Sequence, residues 1–298
     1  MTRNFISLFC VAAIAACTDG RPTGVAAPDQ PSFVQNAVDT SALPDLIVDS
    51  KATQNNWVTR VEDFPADFCS VQEGGIDAGT HKVIRFTVTT PNIGAGDVFV
   101  GSPLKHMDPN GDGNFADADG LFEFALCHHH FHFQHYATYR LLDNSGHVWK
   151  AAKRGFCMLD TDPNNATGGE GRWNYRNCGT DERDGFQGIS GGWSDTYVFK
   201  LGGQFFVLDG GDGQPAVPPG VYTIEVEVNP AYPPTGGVCP RVTDPLTGQC
   251  HQFAESNYAN NIGRATVIIT DHPGRSGYGP LKNSDAISAA DEIDHKGK

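Results

Sequence analysis

A run of five histidines within eight residues is the densest chemical feature of the chain. The segment reads Cys127-His128-His129-His130-Phe131-His132-Phe133-Gln134-His135. Side chains on a β-strand repeat every two residues, so a strand here places His128, His130 and His132 on one face. Three neutral imidazoles in a row favour a transition metal, and copper binds most tightly among the common divalent ions. The pattern predicts a three-histidine metal site, with a polar surface strand carrying unrelated histidines as the alternative.

The other two histidines of this run, His129 and His135, fall on the opposite face of the same predicted strand. We interpret them as ordinary polar or core residues rather than ligands. The predicted metal site therefore uses three of the five.

A second candidate metal site is the acidic segment Asp108-Pro109-Asn110-Gly111-Asp112-Gly113-Asn114-Phe115-Ala116-Asp117-Ala118-Asp119. It matches the twelve-residue calcium loop, with oxygen ligands at the first, third, fifth and twelfth positions and glycine at the sixth. The predicted ligands are Asp108, Asn110, Asp112, Asn114 and Asp119. Flanking helices are not evident, so this pattern indicates a calcium loop outside an EF-hand. An acidic, turn-rich loop without metal is the alternative.

The elements that must position these residues are strands. Runs rich in β-branched and aromatic residues, bounded by turn signals, occupy residues 45–49, 83–90, 97–100, 131–142, 196–201, 205–208, 221–228 and 264–270. No stretch of comparable length shows a helical period. The predicted fold is all-β, a single β-sandwich-like domain with long loops over residues 44–272.

The two ends of the chain differ from this middle region. Residues 1–16 read as a secretory signal, too short to span a membrane, and the ending Ile14-Ala15-Ala16-Cys17 resembles a bacterial lipobox. Residues 17–43 are predicted to be a disordered tether and residues 273–298 a flexible tail. The expected location is secreted or at the cell surface, as a bacterial lipoprotein held to the membrane only through Cys17. An ordinary signal peptide, cleaved further along, is the alternative.

Export changes how the cysteines and the charge are interpreted. Six cysteines remain once Cys10 and Cys17 are set aside, an even number expected to form disulfides, and the absence of a CxxC pair argues against structural zinc. Cys239 and Cys250 are close in sequence and are predicted to pair. The net charge of −14 argues against nucleic acid as a partner and is compatible with cationic substrates, although solubility alone would explain it.

Eight short motifs follow one another in an order that resembles the catalytic domain of lysyl oxidases. They are Leu43-Pro44-Asp45-Leu46, Cys127-His128-x-His130-x-His132 with Tyr139-Arg140-Leu141-Leu142, Lys153-Arg154-Gly155-Phe156-Cys157, Gln187-Gly188-Ile189-Ser190, Asp195-Thr196-Tyr197, Pro219-Gly220-x-Tyr222, Val228-Asn229-Pro230 and Glu255-Ser256-x-Tyr258-x-Asn260-Asn261. Each is weak alone, but the order over residues 43–261 is hard to obtain by chance.

The resemblance implies a function. Copper would bind the three histidines, and Lys153 and Tyr197 would combine into a lysine tyrosylquinone, the cofactor that oxidises primary amines. The products would be an aldehyde, ammonia and hydrogen peroxide, and the substrate either a cationic protein, through its lysines, or a small amine. The resemblance also implies a Cys127–Cys178 disulfide, after which Cys69 and Cys157 remain to pair.

The sequence departs from the family pattern at two places. Thr138 stands where lysyl oxidases have a histidine thought to act as the base, and His135 could replace it only if the strand bulges. The family's cysteine before the Asp-x-Tyr motif is also absent. The base is therefore unassigned, and two alternatives stay open: a cell-surface β-sandwich that binds copper or calcium without turnover, and another metal-dependent oxidase or hydrolase.

Overall fold

The computed structural model describes residues 42–164, 172–180 and 182–281, without the side chains of Lys153 and Arg154. These residues belong to one compact unit of strands and long loops, which confirms the predicted all-β class. The predicted signal segment, Cys17 and all but the last two residues of the predicted tether lie outside the described residues.

Fifteen strands are present in the described part of the chain. They are β1 (Trp57–Phe64), β2 (Gly79–Phe86), β3 (Val88–Pro91), β4 (Val98–Gly101), β5 (Phe122–Ala125), β6 (His130–Asp143), β7 (Val148–Phe156), β8 (Asp162–Pro163), β9 (Gln187–Ile189), β10 (Trp193–Tyr197), β11 (Phe205–Val207), β12 (Gly220–Val228), β13 (Val242–Thr243), β14 (Cys250–His251) and β15 (Ile262–Ile269). The helices are short: α1 (Ser50–Asn55), α2 (Cys69–Gln72), α3 (Pro103–Met107) and a 3-10 turn (Phe115–Asp117). None of the described helices is long and apolar enough to cross a membrane.

A five-stranded antiparallel sheet carries most of the core. Its order is β15-β12-β6-β5, and β7 pairs with the free side of β6. The predicted strand at 221–228 forms β12, and its alternate residues Tyr222, Ile224 and Val226 are all buried. On β6, Phe131 and Phe133 are buried in the same core, so the histidines that alternate with them emerge from the other face.

The central strand β6 contains a bulge. Phe133 pairs with Phe156 of β7, but the next pair is Ala137 with Arg154, so four residues of β6 span two of β7. His135 lies inside this irregularity at a positive φ of 58°, a conformation uncommon outside glycine. The bulge preserves the burial pattern on either side while turning His135 outward.

Smaller sheets surround the central one, with orders β1-β2-β11, β3-β10-β8, β4-β9 and β13-β14. The predicted Cys239–Cys250 disulfide is confirmed and anchors the β13-β14 hairpin, whose second strand begins at Cys250. Strand β10 pairs with β3 along its length, and Tyr197 at its end lies opposite Val88.

Two predicted strands are wrong in part. Residues 45–49 form only an isolated bridge at Leu46, because Asp49 accepts hydrogen bonds from the N–H groups of Lys51 and Ala52 and caps α1. The predicted strand at 196–201 ends at Tyr197, after which the chain turns.

The described part of the predicted tail is ordered against β1. Tyr278 forms a bridge with Thr59, and Val61 donates its N–H to the backbone oxygen of Gly274 at 3.0 Å. Arg275 adds an ion pair with Asp63 at 2.6 Å. These contacts join the described start of the predicted tail, residues 273–281, to the edge of β1, a strand that the sequence did not reveal. Residues 282–298 lie outside the described residues.

Candidate active site

The three histidines lie at one end of the central sheet, where β5 turns into β6. Residues 126–129 form the turn, and Ala125 pairs with His130 at its base. His130 and His132 are on the strand, but His128 belongs to the turn, so the prediction that all three share one strand is wrong for His128. The chain reverses with His129 at a φ of 56° and its N–H bonded to the oxygen of Ala125 at 2.8 Å.

The turn nevertheless brings the three imidazoles together. Their candidate ligand nitrogens lie within 4.8 Å of one another. The Nε2 atoms of His130 and His132 are 3.0 Å apart, a separation suited to two ligands of one ion with bonds of about 2.0–2.1 Å. His130 Nδ1 lies 3.0 Å from the backbone oxygen of His128. A proton on that Nδ1, donated to the carbonyl, leaves Nε2 as the electron-pair donor toward the cluster.

The cluster is built to hold neutral imidazoles. Burial, followed by the charges that His130 and His128 carry when protonated, lowers the pKa of His132 to about 3. Both ring nitrogens of His128 are buried without a hydrogen-bond partner in the described part of the chain, and its Nδ1 is 3.6 Å from the carboxylate of Glu73. An unpaired buried polar atom costs about 1–3 kcal/mol. A bound metal would satisfy these atoms, so the three residues fit copper.

Two disulfides border the same region. Cys69–Cys127 joins α2 to the residue before the histidine cluster, and Cys157–Cys178 joins the end of β7 to residues 172–180. The predicted pairs Cys127–Cys178 and Cys69–Cys157 are therefore wrong. Three of the four cysteines line one cavity. Because all four converge there, their order along the chain does not reveal which two face each other.

One cavity of about 850 Å³ is lined by the histidine cluster and by Tyr197. The Tyr197 hydroxyl donates a hydrogen bond to the backbone oxygen of Cys157 at 2.6 Å. Its half-buried ring lies against Phe156, with the ring centroids 4.0 Å apart. The predicted metal ligands and the predicted cofactor tyrosine thus line the same cavity.

Lys153 lies on β7, with its Cα paired opposite Thr138 of β6. A strand rises about 3.3 Å per residue, so the Lys153 Cα is roughly 10 Å along the strand from Phe156, whose ring contacts Tyr197. The Lys153 side chain lies outside the described residues. Its approach to Tyr197 therefore stays a prediction.

Asp195 is a cavity residue to which the sequence analysis assigned no role. It lines the cavity and is 1% exposed. Burial raises its pKa well above the ordinary range, and the negative charges of Asp160 and Asp162 act in the same direction. The Leu159 backbone N–H donates to its carboxylate, while Oδ2 has no partner among the described residues. Its position two residues before Tyr197 on a strand was the available signal, but its burial could not be read from the sequence.

His135 lies away from this cavity. The bulge in β6 turns it outward, where it is exposed and lines a different cavity of about 590 Å³ with Arg241 and Tyr232. The predicted bulge is therefore present in β6, but it does not bring His135 to the cavity of the histidine cluster, so His135 does not replace the missing histidine. Thr138, at the family's histidine position, lines the same second cavity.

The acidic loop does not gather its carboxylates into a metal site. Asp108 accepts the N–H groups of Asp112 and Gly113 at 3.0 and 2.8 Å, as in a tight turn. Asp119 is directed to His106 Nδ1 at 2.7 Å and to the Arg241 guanidinium at 2.9 Å. In the described part of the chain, the only clustered metal-binding side chains are the three histidines. The predicted calcium site, which also included Asn110 and Asn114, is therefore not supported, because its twelfth position, Asp119, is already paired with Arg241 and His106.

Comparison with known proteins identifies the family. The family model for lysyl oxidase matches residues 66–235. Protein-lysine 6-oxidase from Sus scrofa is 30% identical over 243 residues, covering 77% of this chain and 78% of that protein. The chain belongs to the lysyl oxidase family. The matched segment contains the histidine cluster, Lys153, Asp195 and Tyr197.

Other members of the lysyl oxidase family are longer than this chain. Protein-lysine 6-oxidase from Gallus gallus is 26% identical over 244 residues, covering 77% of this chain and 46% of that protein. Lysyl oxidase homolog 2 from Bos taurus is 28% identical over 241 residues, covering 78% of this chain and 25% of that protein. The chain thus matches less than half the length of these two relatives.

Proposed function

We propose that this lysyl oxidase family member is a copper-dependent amine oxidase, which converts a primary amine into an aldehyde and releases ammonia and hydrogen peroxide. One observation carries the proposal: the three-histidine cluster and Tyr197 line the same cavity. Family membership and the name protein-lysine 6-oxidase, carried by the chicken and pig relatives, support the type of reaction.

Tyr197 and Lys153 are the residues that we assign to a lysine tyrosylquinone. Such a quinone supplies an electrophilic carbonyl that accepts the electrons of the amine. The Tyr197 ring is oriented from two sides, by the carbonyl of Cys157 and by the Phe156 ring. A ring held at the wall of the cavity that the histidine cluster also lines is suited to oxidation at one edge, which supports the assignment.

The substrate that we propose is cationic, either a lysine side chain of a protein or a small primary amine. Glu73 and Glu123 line the cavity and are exposed to solvent. Together with a chain charge of −14, they favour approach of an ammonium group. The same charge disfavours nucleic acid as a partner.

The test is to expose the purified protein to copper and oxygen and then to digest it for mass spectrometry. We expect one peptide that joins Lys153 to Tyr197, together with quinone absorbance and peroxide production from a panel of primary amines. Lys153→Ala and Tyr197→Phe should each abolish all three signals. Lys105→Ala and Tyr278→Phe make the same chemical changes at exposed positions outside the cavity and should leave them intact.

Two outcomes would contradict this proposal, the first its catalytic function and the second its cofactor. A protein that binds copper through the histidines but forms neither crosslink nor peroxide would be the non-catalytic copper-binding alternative. Amine oxidation with an unmodified Tyr197 would keep the reaction but remove the quinone. Omitting copper or oxygen is the control, since both peptides should then remain separate.

The location that we propose is outside the cytosol, with a lipid on Cys17. Three disulfides support an oxidising compartment. Cys17→Ser should release the protein from the membrane fraction or block its processing, which fractionation and blotting would detect. Equal membrane retention of the variant would refute the lipid anchor.

A further inference from the structure

The cavity contains one buried ionisable side chain that neither the metal cluster nor the cofactor pair uses. The described ionisable residues that line it are His128, His130, His132, Tyr197, Glu73, Glu123 and Asp195. Both glutamates are exposed, and Glu73 faces His128. Asp195 is the one interior carboxylate in this set.

We propose that Asp195 is the general base that removes the proton from the carbon next to the substrate amine. This assignment rests on the proposed amine oxidase function. It supplies the role that Thr138 cannot perform and that His135 is too distant to perform.

The position of Asp195 follows from strand geometry. Asp195 and Tyr197 are two residues apart on β10, so their side chains leave the same face of the strand, with Cα atoms roughly 7 Å apart. The N–H of Leu159 holds the carboxylate, and Oδ2 has no partner among the described residues. One oxygen therefore orients the group while the other is available to accept a proton.

A buried carboxylate with a structural role looks different in this protein. Asp160 accepts the Ser190 N–H at 2.7 Å on one oxygen. Its other oxygen accepts the Ser190 hydroxyl at 2.8 Å and the N–H groups of Asn174 and Tyr175 at 2.8 and 3.1 Å. Both oxygens of Asp160 are thus saturated by the fold. Asp195 lines the cavity and its buried Oδ2 has no partner among the described residues, which is costly for the fold unless a ligand uses it.

The step is a heterolytic proton transfer. When the substrate C–H bond breaks, Oδ2 of Asp195 would accept the proton, and the quinone that Lys153 and Tyr197 would form would supply the acceptor for the electron pair. The environment that raises the pKa of Asp195 makes its ionised form a stronger proton acceptor than a solvated carboxylate. The charged and titratable groups that face it are Asp160 and Asp162 on the segment after β7, Tyr136 on β6, and Tyr197 with the histidines across the cavity.

The test compares wild type with Asp195→Asn and Asp195→Glu, all copper-loaded, using n-butylamine as substrate. Phenylhydrazine titrates a quinone carbonyl without removal of a carbon-bound proton, so it counts active sites in each protein. We expect Asp195→Asn to keep its copper, its carbonyl and its melting temperature. Its kcat per carbonyl should fall by about 10²–10⁴-fold with little change in KM. Asp195→Glu should recover part of the rate, and Asp67→Asn, at an exposed position outside the cavity, is the matched control.

Infrared spectroscopy provides a readout that does not depend on turnover. We expect a band from a buried, protonated carboxylic acid that is absent in Asp195→Asn. In loaded wild type, the pH at which this band titrates should match the acidic limb of kcat/KM.

Each outcome decides between the two claims. Wild-type turnover per carbonyl in Asp195→Asn overturns the assignment, and so does a mismatch between the infrared and kinetic titrations. If Asp195→Asn forms no carbonyl, the wild-type titrations alone decide. If wild type itself has no hydrazine-reactive carbonyl, the proposed function fails instead.

Discussion

The histidine hairpin, formed by β5, the turn at residues 126–129 and the start of β6, matches a metal-binding pattern in the sequence, and so does the acidic loop at residues 108–119. The two differ in whether their polar side-chain atoms have partners within the protein. In the hairpin, both nitrogens of His128 are buried without a hydrogen-bond partner among the described residues. In the loop, both oxygens of Asp108 accept backbone N–H groups, and Asp119 contacts His106 and Arg241. In the hairpin, buried ring nitrogens lack a partner among the described residues, whereas in the loop the carboxylates of Asp108 and Asp119 already have partners within the protein.

The difference shows that ligand spacing and ligand availability are separate properties. Acidic residues spaced two apart satisfy a calcium pattern and also satisfy consecutive Asx turns, because the same short side chains reach the same backbone N–H groups. Among the three histidines, the corresponding local contact joins His130 Nδ1 to the backbone oxygen of His128, and both ring nitrogens of His128 are left without a hydrogen-bond partner among the described residues. A histidine cluster is therefore the stronger signal for a metal site in this chain.

The largest expected effect is on copper binding. His132→Ala removes a half-buried ligand whose Nε2 lies 3.0 Å from that of His130, so copper affinity should fall by more than about 100-fold. Equilibrium dialysis with metal analysis would measure it. His135→Ala, at an exposed position lining the other cavity, should leave copper affinity unchanged. If His132→Ala still bound one copper with wild-type affinity, the histidine cluster would not be the copper site, and the contrast between the hairpin and the acidic loop would fail.

The next effect concerns the disulfide that holds the hairpin. Replacing Cys69 and Cys127 with serine should lower the free energy of unfolding by about 2–4 kcal/mol and also weaken copper binding, because residue 127 directly precedes the first ligand. Denaturant unfolding and dialysis would measure the two quantities. The matched control replaces Cys239 and Cys250, and should cost stability without changing copper affinity. Equal effects of both replacements on copper would show that the hairpin does not depend on its own disulfide.

Those parts of the site that depend on local geometry, such as the two-residue period of a strand, can be predicted from the sequence. The period of a strand places His130 and His132 on one face, and the family motifs directed attention to Tyr197. His128 joins the cluster although it does not lie on the strand, because the turn brings its ring next to those of His130 and His132. Asp195 was overlooked, since neither its burial nor its unpaired oxygen can be deduced from neighbours in sequence.

The fold likewise divides into features that local sequence predicts and features that depend on tertiary contacts. Strand β12 follows from its alternation, but β7 contains two alanines, two lysines and a glycine, which have low strand propensity, and it forms because β6 offers a partner. The disulfide partners depend on which loops meet around the cavity, information that lies in the tertiary structure. Local sequence patterns thus predict individual strands, whereas long-range contacts determine which strands pair and which cysteines form disulfides.

A smaller effect tests the bulge that turns His135 away from the active site. His135→Gly should raise the free energy of unfolding by at most about 1 kcal/mol, because glycine tolerates a φ of 58° without a Cβ penalty. Thermal unfolding against His135→Ala, which retains the penalty, would reveal it. Loss of amine oxidation in both variants would mean that His135 reaches the cavity after all.

The smallest effect is expected for calcium, which we predict does not bind the acidic loop and so does not stabilise the folded protein. Millimolar calcium should leave the thermal midpoint unchanged, because a ligand raises the midpoint only if it binds the folded state selectively. Asp108→Ala should lower the free energy of unfolding by about 0.5–1.5 kcal/mol, since the N–H groups of Asp112 and Gly113 lose their acceptors. That loss should be equal with and without calcium. If calcium instead stabilised the wild type and Asp108→Ala removed the response, the loop would rearrange around the ion, and acceptors engaged in local turns would no longer argue against a metal site.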